Sequence, residues 1–157
     1  MTAFSRTVTL KSPSETQALA IQISATLSAG DVLLLEGPIG AGKTHFARSL
    51  IQALLPVQED VPSPTFTLVQ VYDGPESEIW HADLYRLSAP DEVVELGLTD
   101  AFEEAICLVE WPDRLAELAP ENALYLRFDV SKQAEHRQLT ISWASPHWSK
   151  KLERIAK

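Results

Sequence analysis

A chain of 157 residues, 45% hydrophobic and with a formal net charge of −9, carries enough apolar material for one core and not two. The acidic balance argues against a broad basic face that grips a DNA or RNA backbone directly. The longest apolar runs are only a few residues, and the amino terminus lacks an apolar stretch of signal-peptide length, so the expectation is a cytoplasmic protein with no membrane span.

In chain order, residues 8–10 read as a short first strand. Ser12-Pro13-Ser14-Glu15 then offers an N-cap, a proline at the first helical position and a glutamate at the third, which together form a capping box. Leu19, Ile23 and Leu27 repeat at helical spacing, with Gly30 as the stop. Residues 31–36 enclose the apolar run Val32-Leu33-Leu34-Leu35, the pattern of a buried strand.

Directly after that strand stands Gly37-Pro38-Ile39-Gly40-Ala41-Gly42-Lys43-Thr44, followed by Phe46, Leu50 and Leu54 on one face of a helix that ends at Pro56. Glycine, four residues, then Gly-Lys-Ser/Thr between a strand and a helix is the form of a phosphate-binding loop. The glycines let backbone N–H groups turn inward on phosphates, Lys43 reaches the β and γ phosphates, and the Thr44 hydroxyl is placed to ligate Mg²⁺. Gly37, Ile39, Gly40, Ala41, Gly42, Lys43 and Thr44 are therefore the nucleotide-binding candidates, and the plain alternative is a glycine turn with a surface lysine. An anionic nucleotide is compatible with the acidic chain because the lysine, the amides and the metal neutralise it locally.

A loop with prolines at 62 and 64 follows, then extended runs at 66–72 and 78–83 around Asp73-Gly74-Pro75, which predict an antiparallel hairpin. Residues 88–102 carry short helical pieces, 106–110 form another continuous apolar strand, and 113–118 a short helix stopped by Pro120. Residues 123–130 and 138–143 alternate apolar and polar side chains as a second antiparallel pair would. Together these elements predict one α/β domain over 1–157. It is a three-layer sandwich of the P-loop NTPase type, with helices on both faces of a mixed sheet and with antiparallel hairpins.

Three further positions bear on the chemistry. Glu110 closes an apolar strand, where a Walker-B element delivers a carboxylate to Mg²⁺ directly or through water; a solvent-facing strand end is the alternative. Asp83 also closes a strand, two residues after His81, so both side chains share a face, and a metal- or water-positioning role is preferred to turn capping. Ser63-Pro64-Thr65-Phe66 occupies the place where other nucleotide hydrolases keep a segment that senses the γ phosphate. The Thr65 hydroxyl there faces Mg²⁺ or phosphate on one reading and belongs to a strand-entry loop on the other.

The remaining reactive side chains read as structural. Histidines 45, 81, 136 and 147 include no pair at zinc-site spacing, and all but His81 read as surface or packing residues. Cys107 lies in Ile106-Cys107-Leu108-Val109, where a buried structural thiol is expected. Lys150, Lys151, Arg154 and Lys157 crowd the carboxyl terminus, either as a solvated helix end or as a docking surface.

The ordered set Gly37 to Thr44, Ser63-Pro64-Thr65-Phe66-Thr67-Leu68-Val69, His81-Ala82-Asp83-Leu84-Tyr85-Arg86 and Leu108-Val109-Glu110-Trp111-Pro112 resembles the bacterial TsaE family, formerly YjeE. Its members are small ATPases needed to make threonylcarbamoyladenosine on tRNA. The resemblance implies that Lys43 and Thr44 serve the phosphates and Mg²⁺, that Glu110 is a second metal-associated carboxylate, and that Asp83 is needed for hydrolysis. It further implies that Trp111 lies close to the nucleotide and that Thr16, at the start of the first helix, approaches the base. Pro38 and Ile39 stand where the family commonly carries Asp and Leu, at positions that contribute backbone more than side chain. The implied partner is the complex of the threonylcarbamoyl transferase with its paralogous subunit, so tRNA is met only indirectly.

Other classes stay open on the residues alone. A small-molecule kinase would share the loop but needs a second pocket and usually an arginine-bearing lid. A GTPase would need Asn-Lys-X-Asp and Asp-X-X-Gly, and neither string occurs. A nucleotide-gated adaptor would bind without hydrolysing.

Overall fold

A computed structural model describes residues 4–57, 59–64, 67–133, 136–153 and 155. Seven strands form one mixed sheet: β1 (Phe4–Leu10), β2 (Val32–Glu36), β3 (Val69–Asp73), β4 (Glu78–Asp83), β5 (Ile106–Glu110), β6 (Leu124–Val130) and β7 (Arg137–Trp143), in the order β1-β7-β6-β2-β5-β4-β3. The central neighbours of β2, which are β5 and β6, run parallel to it, as β4 does to β5. The pairs β3–β4, β6–β7 and β1–β7 are antiparallel.

Period-2 alternation in β2 sorts its side chains between two apolar layers. Leu33 and Leu35 pack with α1 (Pro13–Ser24), α2 (Lys43–Leu54) and α5 (Pro146–Lys151), together with Phe46, Leu50, Phe128 and Trp148. Val32 and Leu34 pack on the other face with α3 (Asp91–Glu95), α4 (Leu98–Glu104) and the 3₁₀ segment Pro112–Leu118. The sandwich is thus three-layered, with the P-loop NTPase-like arrangement expected from the sequence. Cys107 lies in the second layer, fully buried, and burial pushes its thiol up to about 12, so it is an inert packing group. Among the described residues no helix is long and apolar enough to cross a membrane.

Local chemistry explains most element ends. Ser12 Oγ accepts from the Glu15 N–H at 3.2 Å, while the Glu15 carboxylate reaches back to the Lys11 N–H at 2.8 Å, one residue earlier than in the usual capping box. Helix α1 stops at Ser24, short of the Gly30 stop expected from the sequence. The Ser24 and Thr26 hydroxyls donate to the carbonyls of Ile21 and Ile23, offering the backbone an alternative to another turn. Strand β1 is longer than expected because all of Phe4–Leu10 pairs with β7. Strand β3 begins only at Val69, since Leu68 adopts φ 68° and its N–H donates to the Pro64 carbonyl at 2.7 Å.

Helix α5 supplies the helix end that is one of the two readings of the basic carboxyl terminus. Ser145 caps it and Pro146 starts it. Lys151 lies 2.5 Å and His147 2.8 Å from the carboxylate of Asp31, just before β2. This basic segment therefore folds against the end of β2 opposite the glycine loop; Arg154 and Lys157 lie outside the described residues.

Candidate functional site

The glycine loop leaves the carboxyl end of the central strand β2 and enters α2, so the first turn of that helix faces the same sheet edge as the ends of β4 and β5. In open α/β sheets this crevice is where ligands bind. Gly37, Gly40 and Gly42 have φ of 137°, 82° and 106°, values that side chains adopt only under strain. They differ in what a Cβ would meet. At Gly40 and Gly42 the space is open, whereas a Cβ on Gly37 would stand 2.4 Å from the Phe128 carbonyl oxygen of β6. Gly37→Ala is therefore expected to destabilise the protein by about 2–4 kcal/mol in urea unfolding, since it combines overpacking with left-handed strain.

Register brings the acidic residues together. Asp83 pairs with Glu110 across β4–β5, and Glu110 with Leu35 across β5–β2. Both carboxylates are buried, and both line a cavity of 470 Å³ with Ile39, Gly40, Gly42, Lys43, Thr44, His45, Tyr85, Arg86 and Trp111. Thr44 Oγ1 donates to Glu110 Oε1 at 2.8 Å. The other carboxylate oxygen, Oε2, lies 2.8 Å from Nε2 of the fully buried His81, whose Nδ1 has no hydrogen-bond partner among the described residues. Asp83 Oδ1 accepts from the Tyr85 N–H at 3.1 Å.

Lys43 is nearly buried, with Nζ donating to the Gly37 carbonyl at 2.5 Å and standing 3.5 Å from the centroid of the Trp111 ring. Burial lowers its pKa, and the carboxylates of Glu110, Asp83 and Asp113 oppose that shift. Trp111 holds the left-handed conformation, φ 60° and ψ 55°, which presents the indole to Lys43 and to Tyr85, whose ring centre is 4.9 Å away.

Most of the expected site residues converge on this cavity. Gly37 and Ala41 do not line it; they back the loop, with Ala41 fully buried. Thr16 does not line it either. It is buried in the first turn of α1, its hydroxyl 3.4 Å from the Ser12 carbonyl, and the two helix starts meet where His45 Nε2 donates to the Pro13 carbonyl at 3.0 Å. Thr65 lies outside the described residues. On its near side the segment is tethered by Arg48, which donates to the Val61 carbonyl at 2.9 Å.

Two contacts had no reading in the sequence. The first is the grip of His81 on Glu110, whose only signal was a shared strand face with Asp83. The second is Arg137 at the start of β7, which donates to the carbonyls of Gly40 and Ala41 at 3.1 and 3.2 Å. A loop contact 96 or 97 residues away leaves no local signal in the sequence.

Among the described residues no group of three or more His, Cys, Asp or Glu side chains forms a cage for a metal ion. A cation at Thr44 and Glu110 would thus depend on few protein oxygens, the habit of Mg²⁺ bound together with substrate phosphates. The donor set fits: the Thr44 hydroxyl gives its proton to Glu110 and keeps its lone pairs for a cation.

Comparisons with known proteins bear on the family and the fold. The family described as "Threonylcarbamoyl adenosine biosynthesis protein TsaE" matches residues 10–139. A Rickettsia bellii protein named "tRNA threonylcarbamoyladenosine biosynthesis protein TsaE" is 40% identical over 111 residues, 71% of this chain and 77% of that one. The Bacillus subtilis protein of the same name is 34% identical over 148 residues, 92% of this chain and 90% of its own. The crystal structure of Bacillus subtilis YdiB superposes with a TM-score of 0.82 at 29% identity, covering 98% of this chain and 95% of that one. Motif order, sheet topology and near full-length similarity converge on one lineage: the chain belongs to the TsaE family, which acts in the biosynthesis of threonylcarbamoyladenosine on tRNA.

Proposed function

We propose that this protein binds ATP with Mg²⁺ in the 470 Å³ cavity and hydrolyses it slowly alone and faster in association with the threonylcarbamoyl-transferase complex. The observation that carries the reading is the Thr44–Glu110 hydrogen bond beside Lys43, which joins the helix end of the glycine loop to the end of β5 as a phosphate-and-cation site requires. The loop amides and Lys43 would hold the β and γ phosphates, and Thr44 with Glu110 would hold the cation. The bound cation supplies charge neutralisation for the phosphate oxygens.

Hydrolysis needs a water in line with the bond between the γ phosphorus and the bridging oxygen. Asp83 and Glu110 are the two buried carboxylates that line the cavity, and either accepts a hydrogen bond from such a water. The new P–O bond forms to water, the bridging bond breaks, and ADP leaves with inorganic phosphate. His81 keeps one Glu110 oxygen engaged, which fixes the carboxylate rotamer. Trp111 and Tyr85 meet at a tilt of 54° at the cavity wall, where the Trp111 ring excludes water from one side of Lys43. Of the two arginines that could serve a kinase lid, Arg86 lines the cavity, whereas Arg114 donates to the Leu87 carbonyl at 3.2 Å and pairs with its neighbour Asp113, so a lid bearing several arginines finds little support.

In this reading the tRNA is carried by the partner complex, in keeping with the net charge of −9. The test is ATP turnover by the purified protein, alone and with the transferase complex, with Asp83→Ala as the control that retains nucleotide. Slow turnover that the complex raises by about tenfold or more, and that Asp83→Ala removes, is the expected result. Turnover that ignores the complex, or survives the substitution, overturns the reading.

A further inference from the structure

Behind the glycine loop stands the carboxyl-terminal hairpin, in which the sequence offered no diagnostic motif. Arg137 opens β7 between Leu10 of β1 and Val130 of β6, so its backbone is held by strand pairing on both sides. Its guanidinium is spread over three carbonyls: Nε donates to Ala41 at 3.2 Å, Nη2 to Gly40 at 3.1 Å, and Nη1 to His136 at 2.9 Å. It does not line the cavity and approaches the loop from outside. A planar fork with fixed donors suits this task, because one side chain binds successive carbonyls without further loss of freedom.

We propose that Arg137 is a positioning residue for nucleotide binding, which holds the Gly40 and Ala41 carbonyls outward, and thereby keeps the Ala41 N–H in the loop's own turn and aims the Gly42 N–H at the phosphates. The step from carbonyl to amide follows from the planar trans peptide, in which C=O and N–H point to opposite sides. The Gly40 carbonyl shares its peptide with the Ala41 N–H, which donates to the Pro38 carbonyl at 3.2 Å and closes the loop's own turn. The Ala41 carbonyl shares its peptide with the Gly42 N–H, which is thus directed away from Arg137, towards the helix start that bears Lys43 and Thr44. No described atom lies within 4 Å of where a Cβ would stand on Gly40 or Gly42, and glycine backbones are open to many conformations, so the loop would otherwise lose that freedom only on binding. A clamp in place beforehand removes that ordering cost and adds one positive charge behind the phosphate site. The proposal rests on the reading of this loop as a nucleotide site, and part of its test is independent of that reading.

The experiment compares wild type, Arg137→Gln and Arg137→Lys by calorimetric titration with ATP and Mg²⁺, steady-state turnover, and amide hydrogen exchange without nucleotide. In Arg137→Gln the ATP Kd is expected to rise by about tenfold or more while kcat falls by less than about threefold, since the guanidinium positions the loop and touches no reacting atom. Arg137→Lys keeps the charge but presents a single ammonium to the carbonyls, and should recover only part of the affinity. Exchange at the Ala41 amide is expected to quicken by about tenfold in Arg137→Gln, with β7 amides unchanged. A Kd within about twofold of wild type, or unaltered Ala41 exchange, overturns the proposal. If wild type binds no ATP, the functional reading fails, and the exchange arm still decides whether the clamp exists. If Arg137→Gln does not fold, Arg137→Lys carries both arms, and full affinity in it overturns the proposal.

Discussion

Lys43→Ala is expected to remove ATP turnover and to raise the ATP Kd by at least about a hundredfold, or roughly 3 kcal/mol at 1.4 kcal/mol per tenfold. The side chain is nearly buried, between the Gly37 carbonyl and the Trp111 ring, with the carboxylates of Glu110 and Asp83 close enough to favour its charged form. Deleting the ammonium leaves those carboxylates facing the triphosphate with one less cation to separate them. Binding is weakened twice, by the lost phosphate contact and by uncompensated repulsion. Calorimetric titration with ATP and Mg²⁺ measures the effect. A variant that binds within about threefold of wild type would show that the lysine is a packing residue and that the glycine loop holds no triphosphate.

Glu110→Gln should have the opposite profile: ATP stays bound within several-fold, while kcat falls by about two to three orders of magnitude. The substitution keeps the shape of a side chain that is only 2% exposed, so the fold is preserved. It changes what the group can do. The carboxylate accepts from Thr44 and from His81 at 2.8 Å on separate oxygens, whereas a carboxamide accepts on one side only and must turn its NH₂ towards one of those two partners. It also removes the negative charge that a cation at Thr44 would balance. The measurable signs are lost turnover at saturating ATP and a rise in the Mg²⁺ concentration needed for half-maximal activity. Turnover reduced by less than about fivefold would assign the chemistry to Asp83 alone.

The elements that bound the site were legible because their chemistry is local. Ser12 and Glu15 announce the start of α1, the glycine spacing announces the loop, and the apolar run ending in Glu110 announces β5. Errors occurred where a boundary depended on side chains competing with the backbone. Ser24 and Thr26 end α1 early through hydrogen bonds that periodicity does not register, and the left-handed Leu68 delays β3. Thr16, which the resemblance implies approaches the base, is buried in the first turn of α1 against Ser12 and does not line the cavity, and the proximity of α1 to the loop is carried by His45 and the Pro13 carbonyl.

The sequence by itself determined the family and the strand–loop–helix unit, and it nominated the candidate residues for phosphate and metal chemistry. Those features are written in short spacings and in the dihedral freedom of glycine. Only the tertiary structure decided which groups support them. The partnership of His81 with Glu110 spans 29 residues, and that of Arg137 with the loop spans 96 and 97. The antiparallel pair β6–β7 was legible as a hairpin without a diagnostic motif, and the sheet places β6 directly behind Gly37. The physical reason is that hydrogen bonds across strands depend on register and strand order. Those are set by the collective burial of the apolar faces of Leu33 and Leu35 on one side and of Val32 and Leu34 on the other. No window of sequence around Arg137 contains that information.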